Sequence, residues 1–165
     1  MRRFLLLLLF VIGASSASAA EDWQVCFSPK GGCTELLVYA LNHAEERVLV
    51  QAYSFTSPAI AQALIDAQAR GVQVQVILDR GQRRAKGSQA RAVAQGGVLV
   101  SFDRAHAIAH NKVMVIDADT VVTGSFNFTA SAEDRNAENL LFIRDVEMAE
   151  RYRDNWHQHR AHAEP

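Results

Sequence analysis

His110, Lys112, Asn127 and Glu138 are the residues whose types and spacing could do chemistry together. Side chains two apart on a strand share a face, so His110 and Lys112 would project together, as would Ser125 and Asn127. The acidic turn Asp117-Ala118-Asp119 between these pairs would fold one strand back along the other and bring the start of the first beside the end of the second. An imidazole can serve as nucleophile or as general acid–base near neutral pH. An ammonium and a side-chain amide beside it would donate to a negatively charged oxygen, as stabilisation of a phosphoryl transition state requires. A carboxylate such as Glu138 could hold one ring N–H of His110 and so fix the tautomer. These parts suit attack on phosphorus through a phosphohistidine, with Lys112 and Asn127 supplying the electrostatics and no metal or other cofactor required.

Taken singly, each residue has a commoner use. A histidine at a strand start is usually structural, a nearby lysine is usually solvated, and Gly-Ser-Phe-Asn often only caps a strand. Chance rarely supplies the whole set in order, however. His110-x-Lys112, four residues, Asp117, six residues, then Gly124-Ser125-x-Asn127 resembles the HKD signature of the phospholipase D superfamily at every position. The likeness extends to Ala52-Tyr53-Ser54-Phe55-Thr56, Arg70-Gly71-Val72, Phe128-Thr129 and Glu138-Asn139, which look like the small secreted or periplasmic bacterial endonucleases of that superfamily. It implies His110 as nucleophile or its acid partner, Lys112 and Asn127 holding phosphate oxygens, and Glu138 orienting His110. Asp117 and Ser125 would support the site by hydrogen bonding. It also implies the fold, an α/β sandwich with a mixed sheet flanked by helices.

One active site of this superfamily takes two such motifs, and this chain has one. None of His43, His106, His157, His159 and His162 is followed two residues later by lysine. The chemistry makes the same demand, because a phosphohistidine step needs a nucleophile and a separate acid for the departing alkoxide. A symmetric homodimer that places two copies of His110 across a shared cleft would meet it.

The elements that must position these residues follow from pattern. Residues 34–46 read as an amphipathic helix with Thr34 as N-cap, and residues 47–55 as a buried strand. Ser57-Pro58 opens a helix that stops at Gly71. Strands follow over 72–78, 98–102, 110–116, 120–126 and 138–143, a short helix over 88–95, and a final helix over 146–159. Strand and helix alternate first and strands cluster later, which again describes a mixed sheet covered by helices.

The whole chain bounds the partners. Arg2 and Arg3, the apolar run at 4–12 and the small residues ending in Ala17-Ser18-Ala19-Ala20 have the layout of a secretory signal peptide over residues 1–20. The apolar run is about half of the roughly 20 residues a spanning helix needs, so a stable membrane anchor is not expected. The remainder, residues 21–165, reads as a single domain of ordinary size. Export makes a disulfide between Cys26 and Cys33 the favoured use of the pair, and a periplasmic or extracellular location follows.

The formal net charge is −1, so the chain is no general polyanion binder. Yet Arg80, Arg83, Arg84, Lys86, Arg91, Arg104 and Lys112 fall in one stretch against a single acid, Asp103. Arg80, Arg83, Arg84, Lys86 and Arg104 are the candidates to grip the backbone phosphates of a nucleic acid substrate. A lipid phosphodiesterase shares the chemistry and is the alternative; a catalytically silent nucleic-acid binder is a third reading. His157-Gln158-His159 suggests a metal pair, but no third ligand is placed by the sequence, and a frayed helix end is the expectation. Trp23 and Trp156 are expected to pack.

Overall fold

The computed structural model describes residues 22–165, so the leader expected over residues 1–20 lies outside them. Strands β1 (Trp23–Ser28), β2 (Arg47–Ala52), β3 (Gln73–Asp79), β4 (Leu99–Asp103), β5 (Lys112–Ile116), β6 (Thr120–Gly124) and β7 (Glu138–Arg144) form one sheet in the order β1-β7-β6-β5-β2-β3-β4. Pairs β2/β3 and β3/β4 are parallel, and the other four pairs are antiparallel. The helices are α1 (Cys33–Asn42), α2 (Pro58–Ala69), α3 (Ala90–Gln95), α4 (Ala130–Asp134) and α5 (Val146–His162). The expected α/β architecture with a mixed, helix-flanked sheet is therefore present.

Alternation along the strands sorts side chains into two cores. Val48, Val50 and Ala52 of β2 join Met114 and Ile116 of β5 in the larger cluster, beneath α1, α2 and α3. Leu49, Val113, Val115, Ile77 and Val121 face the other way and pack on Ala149 and Trp156 of α5. Trp156 is buried and donates its ring N–H to Val50 O at 2.9 Å, so it packs as expected. Trp23 does not, because it lies on edge strand β1 and is 54% exposed.

The early elements match pattern best. Ser57 caps α2 through the Ile60 N–H, and Pro58 sits at the first helical turn. At α1 the expectation is corrected: the cap position is Gly32, with φ 77°, and Thr34 lies inside the helix. The free N–H groups of Gly32 and Thr34 are taken instead by the Glu133 carboxylate, at 2.9 and 2.7 Å. That acid lies a hundred residues on, beyond the reach of local pattern. Strand β1 and helix α4 were not anticipated, and the strands at 110–116 and 120–126 are shorter, beginning at Lys112 and ending at Gly124. Among the described residues no helix is long and apolar enough to cross a membrane.

Cys26 and Cys33 are disulfide-bonded, as expected. Because Cys26 lies in β1 and Cys33 opens α1, the bond ties the edge strand to the first helix. Closing so short a loop is worth about 2–3 kcal/mol in the chain-entropy account. Reduction, or replacement of both cysteines by alanine, is expected to lower the unfolding free energy by that amount in urea titration. An unchanged midpoint would place the bond outside the cooperative unit.

Candidate active site

Lys112 begins β5, a central strand, at the end of the sheet where β2 stops, with Ala52 directly opposite it. Its side chain is 7% exposed. The ammonium donates to His110 O at 2.8 Å and lies 5.1 Å from the centre of the Tyr53 ring. Burial lowers the Lys112 pKa from its ordinary value, and the negative charge of Glu138 at the start of β7 opposes that shift. His110 precedes the strand and is exposed, with its ring 4.5 Å from that of Tyr53. Tyr53 thus touches both chemical groups. From sequence alone Tyr53 has no assigned role, since an aromatic at a strand end first suggests packing.

Asn127 reaches the same end of the sheet by a different route. After β6, Ser125 N–H and Phe126 N–H donate to Asn139 O at 3.0 and 3.3 Å, and Asn139 N–H returns a bond to Ser125 Oγ at 3.0 Å. Two residues further, Phe128 O accepts from Thr56 and Ser57, both at 3.0 Å, and Phe128 bridges Phe55. The segment therefore crosses from the β7 side to the β2 side over the start of β5, where Lys112 lies. Phe126 and Phe128 are both fully buried, each such side chain contributing about 1.5–3 kcal/mol of burial. They fix the strip, and Asn127 Oδ1 is left buried with no hydrogen-bond partner. A buried amide oxygen without a partner is uncommon and marks a place where a hydrogen-bond donor such as water would be bound. Gly124 makes the close approach possible: a Cβ there would stand 2.2 Å from Asn139 O.

The remaining candidates divide. Ser125 Oγ accepts from the N–H of Asn139, next to Glu138. Glu138 accepts from Asn136 Nδ2 at 3.0 Å, and its charge acts on Lys112; within the chain no hydrogen bond joins it to the His110 ring among the described residues. Asp117 lies at the opposite end of β5, about 16 Å along the strand from Lys112. With φ 53° it takes the N–H groups of Glu45, Glu46 and Arg47 at 3.1, 2.7 and 3.0 Å. It anchors the start of β2 and acts on the site only through that strand. A surface hollow lined by Tyr39, His43 and Asp117 among others is also at that far end and contains none of His110, Lys112, Asn127 and Glu138.

Of the basic residues, Arg83 bonds the backbone oxygen of Pro165 and lies 4.5 Å from the Phe102 ring centre. Arg104 pairs with Glu164 at 2.7 Å, and Arg80 donates to Ala107 O at 3.4 Å. Arg84 and Lys86 are solvent-facing on the same loop. The structure thus engages Arg83 and Arg104 with the chain's own last residues, a contact invisible to charge counting.

Residues 104–111 carry the chain from β4 back to His110, and buried carboxylates pin this crossover. Asp79, at the end of β3, accepts from Ala109 N–H at 2.9 Å. Asp103, at the end of β4, accepts from His159 at 2.8 Å, His106 at 3.0 Å and His162 at 3.3 Å. Burial pushes the Asp103 carboxyl up, but the three imidazole bonds outweigh it and hold it well below the usual carboxylate range. The expectation for residues 157–159 is corrected here. Helix α5 continues to His162, and His159 is packed on Asp103 rather than frayed; His157 and Gln158 are exposed.

Residues 37–160 match the family model described as "Cardiolipin synthase, PLD-like domain". A "Phospholipase D" of Rickettsia conorii is 46% identical over 133 residues, covering 81% of this chain and 66% of that protein. A "Mitochondrial cardiolipin hydrolase" of Xenopus tropicalis is 32% identical over 120 residues, covering 73% of this chain and 57% of that protein. This chain therefore spans slightly under two thirds of the length of the rickettsial relative. Among solved structures, Nuc from Salmonella typhimurium, a phospholipase D family member, superposes with a TM-score of 0.81 at 35% identity, covering 86% of this chain and 95% of that one.

Proposed function

The chain belongs to the phospholipase D superfamily, and on that premise we propose that it is a phosphodiesterase that cleaves nucleic acid through a phosphohistidine. The observation that carries the reading is the gathering of His110, Lys112 and Asn127 at one end of the central strands, where the Lys112 ammonium and the Nδ2 side of the Asn127 amide are the donors for an anionic oxygen. In the first step a His110 ring nitrogen bonds to phosphorus and the P–O bond to the leaving alkoxide breaks. A second imidazole gives that alkoxide its proton. Water then gives a proton to that second imidazole and attacks phosphorus, and the P–N bond to His110 breaks to free the histidine. Lys112 and Asn127 stabilise the equatorial oxygens, and Glu138 orients an imidazole of the site. Arg80, Arg84 and Lys86 offer positive charge to a polyanion along the neighbouring loop.

The second imidazole comes from His110 of the partner subunit in a homodimer. A strip of exposed or half-buried apolar groups supports that assembly. Register places Trp23 opposite Ile143 and Val25 opposite Leu141 on a face that α5 leaves open, and Phe27, 65% exposed, continues it beside Glu138. The same strip is the one observation favouring a lipid substrate, since it would also receive an apolar chain, and the names of the sequence relatives point that way.

One panel tests these readings: plasmid, single-stranded DNA, RNA and anionic phospholipid vesicles, each incubated with purified protein in chelator near neutral pH. Cutting of nucleic acid is expected, with specific activity that falls on dilution as dimers dissociate. Head-group release with intact nucleic acid would transfer the assignment to lipid. Activity restored only by added magnesium would overturn the metal-independent route, and a fully active monomer in light scattering would overturn the shared site.

A further inference from the structure

The cluster around Asp103 has no part in the reaction just described, yet it is built from groups that bind metals. One carboxylate oxygen, Oδ2, faces His159 Nδ1 at 2.8 Å, His106 Nδ1 at 3.0 Å and His162 Nε2 at 3.3 Å. A carboxylate oxygen offers about two lone-pair sites, fewer than the three ring nitrogens aimed at this one. The other oxygen, Oδ1, is already held by the backbone N–H groups of Ala105 and His106, at 3.0 and 3.3 Å. These bonds fix the carboxylate with Oδ2 toward the rings, the kind of outer support that orients metal ligands. The rings themselves stand 4.8, 5.3 and 5.4 Å apart, centre to centre.

We infer that Asp103, His106, His159 and His162 form a binding site for a divalent transition metal of the zinc class, which clamps the end of α5 to the loop that delivers His110. The four donor atoms lie within 4.8 Å of one another. Bonds of about 2.0–2.2 Å to a tetrahedral zinc put ligand atoms roughly 3.3–3.5 Å apart, so small side-chain rotations close the site. Imidazole nitrogens select zinc-class ions over magnesium or calcium, which take oxygen ligands. A set of four protein ligands leaves no open position, so the site is structural. His106 and His162 are 48% and 36% exposed and give the ion an entry path from solvent.

The placement gives the ion a task. Asp103 is three strands from Lys112, about 14 Å across the sheet, too far to join the chemistry. His106 lies in the crossover that continues to Ala109, tied to Asp79, and to Asn111, whose carbonyl accepts from Tyr53 N–H at 2.9 Å. A metal at Asp103 would fasten the first part of that crossover to the sheet edge and to α5, and so limit the freedom of His110 four residues later.

The test is binding of zinc alone to the purified chain, read by competition with a chromophoric chelator, together with the visible spectrum of the cobalt(II) form. One equivalent is expected with a Kd below about 1 μM, a tetrahedral cobalt spectrum, and a rise of about 5–10 °C in unfolding temperature with zinc in excess. His159→Ala should weaken binding at least about 100-fold, beyond the usual effect of losing an outer partner. If it fails to fold, His162→Asn, at an exposed position, gives the same reading, and His157→Ala should bind like the parent. Absence of sub-micromolar binding, or equal binding by His162→Asn and the parent, would overturn the site and leave the cluster a hydrogen-bond network. None of these readouts uses turnover, so they stand or fall apart from the phosphodiesterase reading.

Discussion

Replacing His110 by alanine is expected to reduce turnover by at least about 10⁴-fold while nucleic acid affinity stays within a few-fold of the parent. The size follows from sharing. In a symmetric site the substitution removes the nucleophile from one protomer and the leaving-group acid from the other, so both halves of the first step fail together. The fold should be indifferent, since the His110 ring is exposed and touches only Tyr53 among the aromatic groups; surface changes of this kind usually stay within about 0.5 kcal/mol. Single-turnover cleavage, filter binding and a urea melt on the same preparation check all three parts. Equal cleavage by variant and parent would remove His110 from the chemistry and with it the whole assignment. Loss of binding alongside cleavage would make His110 a binding residue only.

The placement of the candidate residues was legible in the sequence because their relations are local. His110 and Lys112 are separated by one residue, and the β5–β6 hairpin that returns the chain to Ser125 and Asn127 is short enough to read from alternation and its acidic turn. The α2 boundary was legible for the same reason: Ser57 and Pro58 act on the turn they begin. What failed was long-range. The cap of α1 comes from Glu133, the partners of Arg83 and Arg104 are Pro165 and Glu164, and Asp103 meets histidines more than fifty residues away. No periodicity encodes such meetings.

Asp103 is the instructive case. In the sequence it is the lone acid in a basic stretch, and charge counting treats it as a minor offset. In the fold it is wholly buried at the end of β4 and gathers three histidines, two of them from the last helix. Strand order explains this, because β4 is an edge strand and α5 crosses back over the sheet to reach it. The orphaned Asn127 Oδ1 was equally unreadable, since it depends on Phe126 and Phe128 both being buried around it.

Lys112→Met separates catalysis from stability in opposite directions. Turnover should fall by about 10²–10³-fold, the usual result of removing one donor from a developing phosphoryl or oxyanion charge. Stability should hold or rise, because methionine fills similar space without an ammonium in a nearly closed setting. The pH dependence follows from the same burial. Burial lowers the folded-state pKa of Lys112 from the ordinary 10.5, against the pull of Glu138. Between the lowered value and 10.5 the unfolded chain therefore binds more protons than the folded one, so stability contributed at this position rises with pH through that window. The parent should show that rise relative to Lys112→Met in urea melts taken across the alkaline range. Its kcat/KM should meanwhile decline as pH approaches 10.5 from below, because the deprotonated amine no longer stabilises the transition state. A variant as active as the parent would leave Lys112 a packing residue. A variant that is inactive and also several kcal/mol less stable would assign its effect to the Lys112–His110 contact at the start of β5 instead of to phosphate.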